Sequence, residues 1–383
     1  MKVVVDRGWT MEVWHSVVRE FIDLLHAHTV FGKLEEYTLD PEAGTVTPSP
    51  PAVPASASHE LALIITDGLG PLWWNGAADG LLSEWANRQI LALVHLLPRA
   101  LWDSSGIKTT RQSLQMSAPG TTNTDLHLDV APDVVSAPSS CLIPALELNQ
   151  EDLRAWGQLI VQQTGTTLHC LTAQSSTVSL PGQRQATVPT HPLADAQPSG
   201  ESIRAEALQR LKLFRNSASR EAQFLANALS ILPLNLAVMH RTQEALLPRH
   251  GPDLFSELFI AQLIGPAVAA EGMRRIDHVS FDFAPGVREH LVAGLNQQWT
   301  GHLFTTTAVF LDEDLGIPWV STWRHLIDQP DRTGIEEVTD TSAEFLRVEL
   351  TVLEALSGKY RSRARRLRDA LHRHEQASPA PAR

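Results

Sequence analysis

"VVVDRGWTMEVW", residues 3–14, sets three valines against an aspartate and follows them with a segment of a different period. Consecutive β-branched residues predict a buried strand. In TMEVWHSVVREFIDLLHAH, Met11, Trp14, Val17, Val18, Phe21, Ile22 and Leu25 recur at helical spacing, which predicts a helix. Asp6 therefore stands at the C-terminal tip of a strand, the end of an α/β sheet where ligands bind. ELALIITDGLG (60–70) repeats the arrangement, a buried strand running onto Asp67-Gly68.

Outward from these two strands the alternation continues. KLEEYTLD (33–40) alternates as a half-buried strand does, and ILALVHLLP (90–98) and CLIPALEL (141–148) read as buried strands. LLSEWANR and NQEDLRAWGQLIVQQ read as helices between and after them. Residues 41–58 and 104–139 are rich in Pro, Ser and Thr and predict loops. This order predicts an α/β fold with a mainly parallel Rossmann-like sheet and helices on both faces.

The pattern changes after residues 171–200, whose composition is that of a linker. REAQFLANALSILP, LNLAVMHRTQEALLP and PDLFSELFIAQLIGPAVAAEG predict three helices, and RRIDHVSFDFAPGVREHLVAGLN predicts strand, turn and helix. Three helices, a β wing and a helix form the pattern of a winged-helix-like unit. SAEFLRVELTVLEALSGKYRSRARRLRDALHRH reads as one long helix weakened at Gly358. The predicted division is an α/β domain at 1–175, a linker at 176–205, a helical winged-helix-like domain at 206–297 and a helical segment with a basic tail at 298–383.

Composition narrows the function classes. The chain has 383 residues, 43% hydrophobic and 19% charged, enough for two or three domains with buried cores. A net charge of −12 argues against a generally nucleic-acid-binding surface. Cys141 and Cys170 lie in no metal-ligand spacing and suit a reducing compartment. MKVVVDRGWT lacks the apolar core of a signal peptide, and no run of about 18 apolar residues occurs. The expected location is cytoplasmic, with no membrane partner.

If the first strand and the ELALIIT strand are neighbours, Asp6 and Asp67 form a hard-cation site, with Thr10 adding a hydroxyl; Mg²⁺ is the cation such oxygens suit. The structural alternatives are a helix cap for Asp6 and turn chemistry for Asp67. VVVDRGWTM together with LIITDG resembles the von Willebrand factor A fold, whose metal-ion-dependent adhesion site uses Asp-x-Ser-x-Ser, a separate Thr and a later Asp-Gly. The resemblance implies metal ligands at Asp6, Thr10 and Asp67, with Gly8 in place of one hydroxyl. Segments through about residue 295 are similar to the N-terminal module of large actinobacterial multidomain proteins, in which a von Willebrand A-like domain precedes a winged-helix-like region. That resemblance implies a role in bacterial conflict or signalling systems.

The frame hhhhDxDxT of haloacid-dehalogenase-type phosphotransferases is met only at Asp6 and Thr10, because Gly8 occupies the acid/base position. No GxSxG, no GxxxxGK[ST] and no HExxH occurs. PDLFSELFIAQLIG carries no Lys or Arg, so it lacks the charge a DNA-reading helix needs. Its surplus of apolar residues, Phe255 and Phe259 among them, suits a protein contact. The basic run 359–373, with Arg361, Arg365 and Arg368, suits either a solvated helix end complementing the C-terminal dipole or an acidic partner. The expected function is a non-enzymatic protein-interaction adaptor or sensor with a degenerate Mg²⁺ site. The rival is a metal-dependent phosphoryl-transfer or hydrolytic enzyme using Asp6 and Asp67.

Overall fold

The structure, a computed structural model, describes residues 1–28, 32–48, 60–128, 140–162, 165–174, 200–267, 280–295, 338, 340–356 and 358–377. The chain divides into two compact units, Met1–Ala194 and Asp195–Arg383.

In the first unit, β1 (Lys2–Asp6) lies between β2 (Glu35–Asp40) and β4 (Leu61–Thr66) and runs parallel to both. β5 (Ile90–His95) and β8 (Ser140–Glu147) extend the parallel array beyond β4. Antiparallel strands close both edges: β3 (Thr45–Thr47) beside β2, and β9 (Thr166–Gln174), β6 (Thr110–Met116) and β7 (Leu126–Leu128) beyond β8. The order is β3-β2-β1-β4-β5-β8-β9-β6-β7.

The direction of travel reverses at β1 and β4. α1 (His15–Ala27) leads from β1 toward one edge, whereas α2 (Pro71–Trp74) and α3 (Ala78–Ala86) lead from β4 toward the other. Right-handed crossovers in opposite directions put α1 and α3 on opposite faces. The C-terminal ends of β1 and β4 thus form a topological switch point, where open α/β sheets hold ligands. Val4, Ile64 and Leu93 pack with Trp73, Leu82 and Trp85 in the core on the α3 face. α4 (Gln150–Gln162) packs against β8 and β9.

Several expectations are corrected here. Residues 104–139 are not one loop, since they contain β6 and β7; 129–139 lie outside the described residues. In TRQSLQM only Leu114 and Met116 turn inward, so its polar composition marks an antiparallel strand, one in from the sheet edge, with one dry face. β9 runs to Gln174, into the segment read as a linker, and β3 lies in the segment read as the 41–58 loop. The expected α/β sheet with parallel central strands is present, and it is mixed because antiparallel strands flank them.

The second unit starts with α5 (Gly200–Ser217), so its first helix lies partly in the predicted linker; residues 175–199 are outside the described ones. α6 (Arg220–Leu229), β10 (Leu234–Asn235), α7 (Leu236–Leu246) and α8 (Asp253–Ile260) follow. β11 (Ile264–Pro266), β12 (Ser280–Phe283) and α9 (Val287–Gly294) complete this part, with an antiparallel sheet ordered β10-β12-β11. Side chains cap α6 and α7: Ser219 Oγ accepts from Ala222 N–H and Asn235 Oδ1 from Val238 N–H. Glu257 of α8 takes both the N–H and the hydroxyl of Ser219, each at 2.6 Å, and so ties α8 to the start of α6. The predicted winged-helix-like span therefore carries helices and a small sheet, while 268–279 and 296–337 lie outside the described residues.

The predicted long C-terminal helix is two. α10 (Asp340–Leu356) and α11 (Arg361–Ala377) are separated around Gly358, whose φ is 58°, a left-handed value that glycine adopts freely. They pack back on one another through a shared core that includes Leu353, Tyr360, Leu367 and Leu371. Arg363 Nε donates to Glu349 Oε1 at 2.7 Å with both side chains buried, and Arg368 donates to Glu354.

Two loops meet above the sheet's switch point. Gly106 N–H donates to Gly68 O at 2.9 Å, and a Cβ on Gly106 would lie 2.6 Å from the Trp73 carbonyl carbon. Gly106→Ala should therefore destabilise the protein by about 1–3 kcal/mol through overpacking. A lower Tm in thermal denaturation would register it, and an unchanged Tm would contradict the close approach.

Candidate functional site

Asp6 and Asp67 occupy the switch point. β1 and β4 pair in parallel with Val5 opposite Ile65, so Asp6 lies level with Thr66, one residue before Asp67. Both carboxyl groups are buried. Asp6 Oδ1 accepts from Gly8 N–H at 2.8 Å. Its Oδ2 accepts from Thr66 Oγ1–H at 2.7 Å and from Trp73 Nε1–H at 2.8 Å. Thr66 Oγ1 accepts in turn from Gly68 N–H at 2.9 Å. This excludes the capping role for Asp6. The residues after it form a 3₁₀ segment, Trp9–Trp14, whose N-terminus has no side-chain cap, and the carboxylate reaches across to β4 and α2 instead.

Asp67 is less well provided. Its Oδ1 accepts from Leu69 N–H at 3.0 Å, which is turn chemistry, while Oδ2 has no partner. Thr10 Oγ1 is also buried without a hydrogen-bond partner, yet it is near enough to favour the charged form of Asp67. Burial dominates over that help: with the Asp6 charge beside it, the Asp67 carboxyl is pushed up to about 7. Burial also raises Asp6, opposed by its hydrogen bonds from Trp73, Thr66 and Gly8.

Beside this pair, His95 ends β5 and stacks on Trp102 at 4.9 Å between ring centroids. Leu97 N–H donates to His95 Nδ1, so Nε2 carries the proton and donates to Ser105 Oγ at 3.2 Å. Ser105 Oγ–H is spent on Trp102 O at 2.8 Å. With the proton on Nε2, the ring cannot take the serine's proton, so this is no nucleophile–base pair. Burial lowers the His95 pKa to about 3 and keeps the ring neutral.

The structure brings Asp6, Thr10 and Asp67 together in the first unit, and the other candidates belong to the second. Phe255 and Phe259, expected to take part in a protein contact, are buried. Phe255 meets His240 edge-on and Phe259 stacks on Phe281, both buried within the second unit. The apolar surplus of the 252–265 segment fills its own unit's core. Arg361 and Arg365 are exposed, while Arg368 pairs with Glu354. Thr66 and Trp73, which complete the Asp6 network, were missed by sequence reasoning. The one available signal was the Trp73-Trp74 pair five residues beyond Gly68, since a buried indole N–H needs an acceptor.

The chain matches no protein-family model, no curated protein and no solved structure. The geometry alone must therefore say whether Mg²⁺ fits. Octahedral Mg²⁺ takes six oxygens and keeps several waters. Here Asp6 is occupied by three donors, Gly8 supplies no side-chain oxygen, and only Thr10 Oγ1 and Asp67 Oδ2 are uncommitted in a water-excluded place. The residues present do not fit the ion. No group of three His, Cys, Asp or Glu placed to hold a metal occurs among the described residues.

Two substitutions test this account. Asp6→Ala leaves three buried donors unpaired, and at about 1–3 kcal/mol each the loss should reach at least about 3 kcal/mol in denaturant unfolding. Asp67→Asn should act in the other direction. A carboxyl whose folded pKa is raised from 3.8 to about 7 binds its proton more tightly in the folded state. Its stabilising contribution is complete at low pH and is lost as pH rises toward 7. Asp67→Asn should thus stabilise the protein by about 1–3 kcal/mol at pH 8 and by much less at pH 4. A gain that is the same at both pH values would contradict the assignment.

Proposed function

We propose that this chain is a non-catalytic protein-interaction adaptor. In this reading a von Willebrand A-like α/β unit with a closed metal site precedes a winged-helix-like unit and a helical hairpin. The observation that carries it is the engagement of both Asp6 oxygens by Gly8, Thr66 and Trp73 in a buried place. A carboxylate that must ligate a metal or attack phosphorus needs free lone pairs and a route to solvent, and Asp6 is buried with its oxygens engaged. A phosphoryl-transfer site also needs an acid/base group in hydrogen-bond reach. The side chains that hydrogen-bond Asp6, Thr66 and Trp73, are not acid/base groups, and the neighbouring Asp67 carboxyl is fully buried, with no solvent route for its proton.

The von Willebrand A-like reading is supported by the order β3-β2-β1-β4-β5 and by Asp6 and Asp67-Gly68 at adjacent strand ends. The winged-helix-like reading is supported by α6, α7 and α8 followed by the small antiparallel sheet and α9. Against DNA as the partner, α8 has no Lys or Arg and its apolar residues are buried. No helix among the described residues is long and apolar enough to cross a membrane. The placement in a bacterial conflict or signalling system rests on sequence resemblance alone.

The test has a chemical and a binding arm. With a phosphomonoester and Mg²⁺ or Mn²⁺, the protein should give no turnover above buffer, and Mg²⁺ calorimetry should show affinity no tighter than roughly millimolar. Products of neighbouring genes should co-purify with it in near-stoichiometric amounts. Turnover or micromolar Mg²⁺ binding that Asp67→Asn abolishes would establish the enzymatic rival instead.

A further inference from the structure

The C-terminal helices keep a register that their turn does not require. The apolar positions Ala343, Leu346, Leu350 and Leu353 of α10 advance by three and four residues, and so do Tyr360, Ala364, Leu367 and Leu371 after the turn. Leu353 and Tyr360 are one heptad apart, so the seam passes through the turn without a phase change. Two helices joined by a loop pack equally well with any offset in the loop. A single helix through 340–377 needs this phase, and it would run roughly 57 Å at 1.5 Å per residue.

The charges flanking the seam set its direction. Glu349 pairs with Arg363 and Glu354 with Arg368, each across a separation of 14 residues, two full heptads. Pairing between equivalent flanking positions belongs to antiparallel helices. In a parallel pair of continuous helices the flanking position of one helix meets the position five residues on in the other. That would set Glu349 against Glu354 and Arg363 against Arg368, like against like. An antiparallel pair of continuous helices from two copies preserves both ion pairs.

The joint itself is lightly held. A Cβ added to Gly358 would touch nothing within 4 Å, so the turn relies on the left-handed backbone and not on packing around it. α10 is anchored to its unit through α9, with Val348 and Val352 buried, whereas the main packing of α11 among the described residues is on α10 and the turn. Among the described residues, α11 can therefore leave its own α10 with little else disturbed.

We infer that two copies of this chain exchange α11 by opening at Gly358, forming a dimer in which a continuous 340–377 helix from each copy pairs antiparallel with the other. The exchanged dimer keeps the core seam, the Glu349–Arg363 pair and the Glu354–Arg368 pair, and differs from the hairpin mainly at the turn. The population of the two forms is then set by protein concentration. The inference stands independently of the adaptor reading.

Full-length chains carrying Glu349→Arg or Arg363→Glu each place like charges against one another in both their own hairpin and their own dimer. Only exchange between the two variants restores both pairs. After co-incubation, native mass spectrometry should show the heterodimer in clear excess over either homodimer. Gly358→Ala, in the otherwise natural chain, should move the monomer–dimer midpoint in sedimentation velocity to about tenfold lower concentration or below, because a β-carbon disfavours the left-handed turn. No heterodimer at about 100 μM of each variant, roughly a 5.5 kcal/mol ceiling on association, would overturn the inference. So would a dimer insensitive to Gly358→Ala, which would place the contact elsewhere.

Discussion

One buried carboxylate organises the first unit. Taking an ionisable group out of water is costly unless donors replace the water, and Asp6 receives three. Each comes from a different piece of chain: Gly8 from the turn after β1, Thr66 from the tip of β4, Trp73 from α2. The β1–β4 backbone pairing ends at Val5 and Ile65, and the Asp6 side chain carries the connection one residue further. The crevice that strand order creates at this point is filled by the protein's own groups.

This shows why the neighbouring strands were legible and their occupant was not. VVVD and LIITDG announce buried strands through β-branched and aliphatic runs, and both aspartates fall where those runs end. That two such strands are adjacent follows from common α/β connectivity. Whether a carboxylate is free or taken depends on side chains distant in sequence, and the Trp73 indole reaches Asp6 across 67 residues. No local pattern encodes such a contact. The strands at 110–116 and 126–128 escaped for another reason: in the antiparallel flank of the sheet one dry face suffices, and Leu114 and Met116 were too few to offset their polar neighbours.

The second unit separates composition from exposure. Phe255 and Phe259 looked excessive for an eight-residue helix because one helix face was assumed to be dry. α8 is covered from several sides, by α6, α7 and the small sheet, and Glu257 at its surface is drawn into capping α6. The basic run 359–373 likewise looked uniform, yet Arg363 is buried against Glu349 while Arg361 and Arg365 face solvent. Only the helical face assigned by the hairpin distinguishes them.

His95 bears on the same sheet edge through its proton inventory. It folds into a dry stack on Trp102 and can hold a second proton only below about pH 3, against 6.5 when unfolded. Folding therefore releases a proton from His95 between those values, and this contribution to stability fades as pH falls through 6.5. Asp67, raised from 3.8 to about 7, takes up a proton on folding over nearly the same interval. Two adjacent parallel strands, β4 and β5, thus deliver one group of each kind to one edge, and over the interval they share their proton exchanges oppose one another in sign. Mild acid therefore pulls on this buried edge in two directions at once.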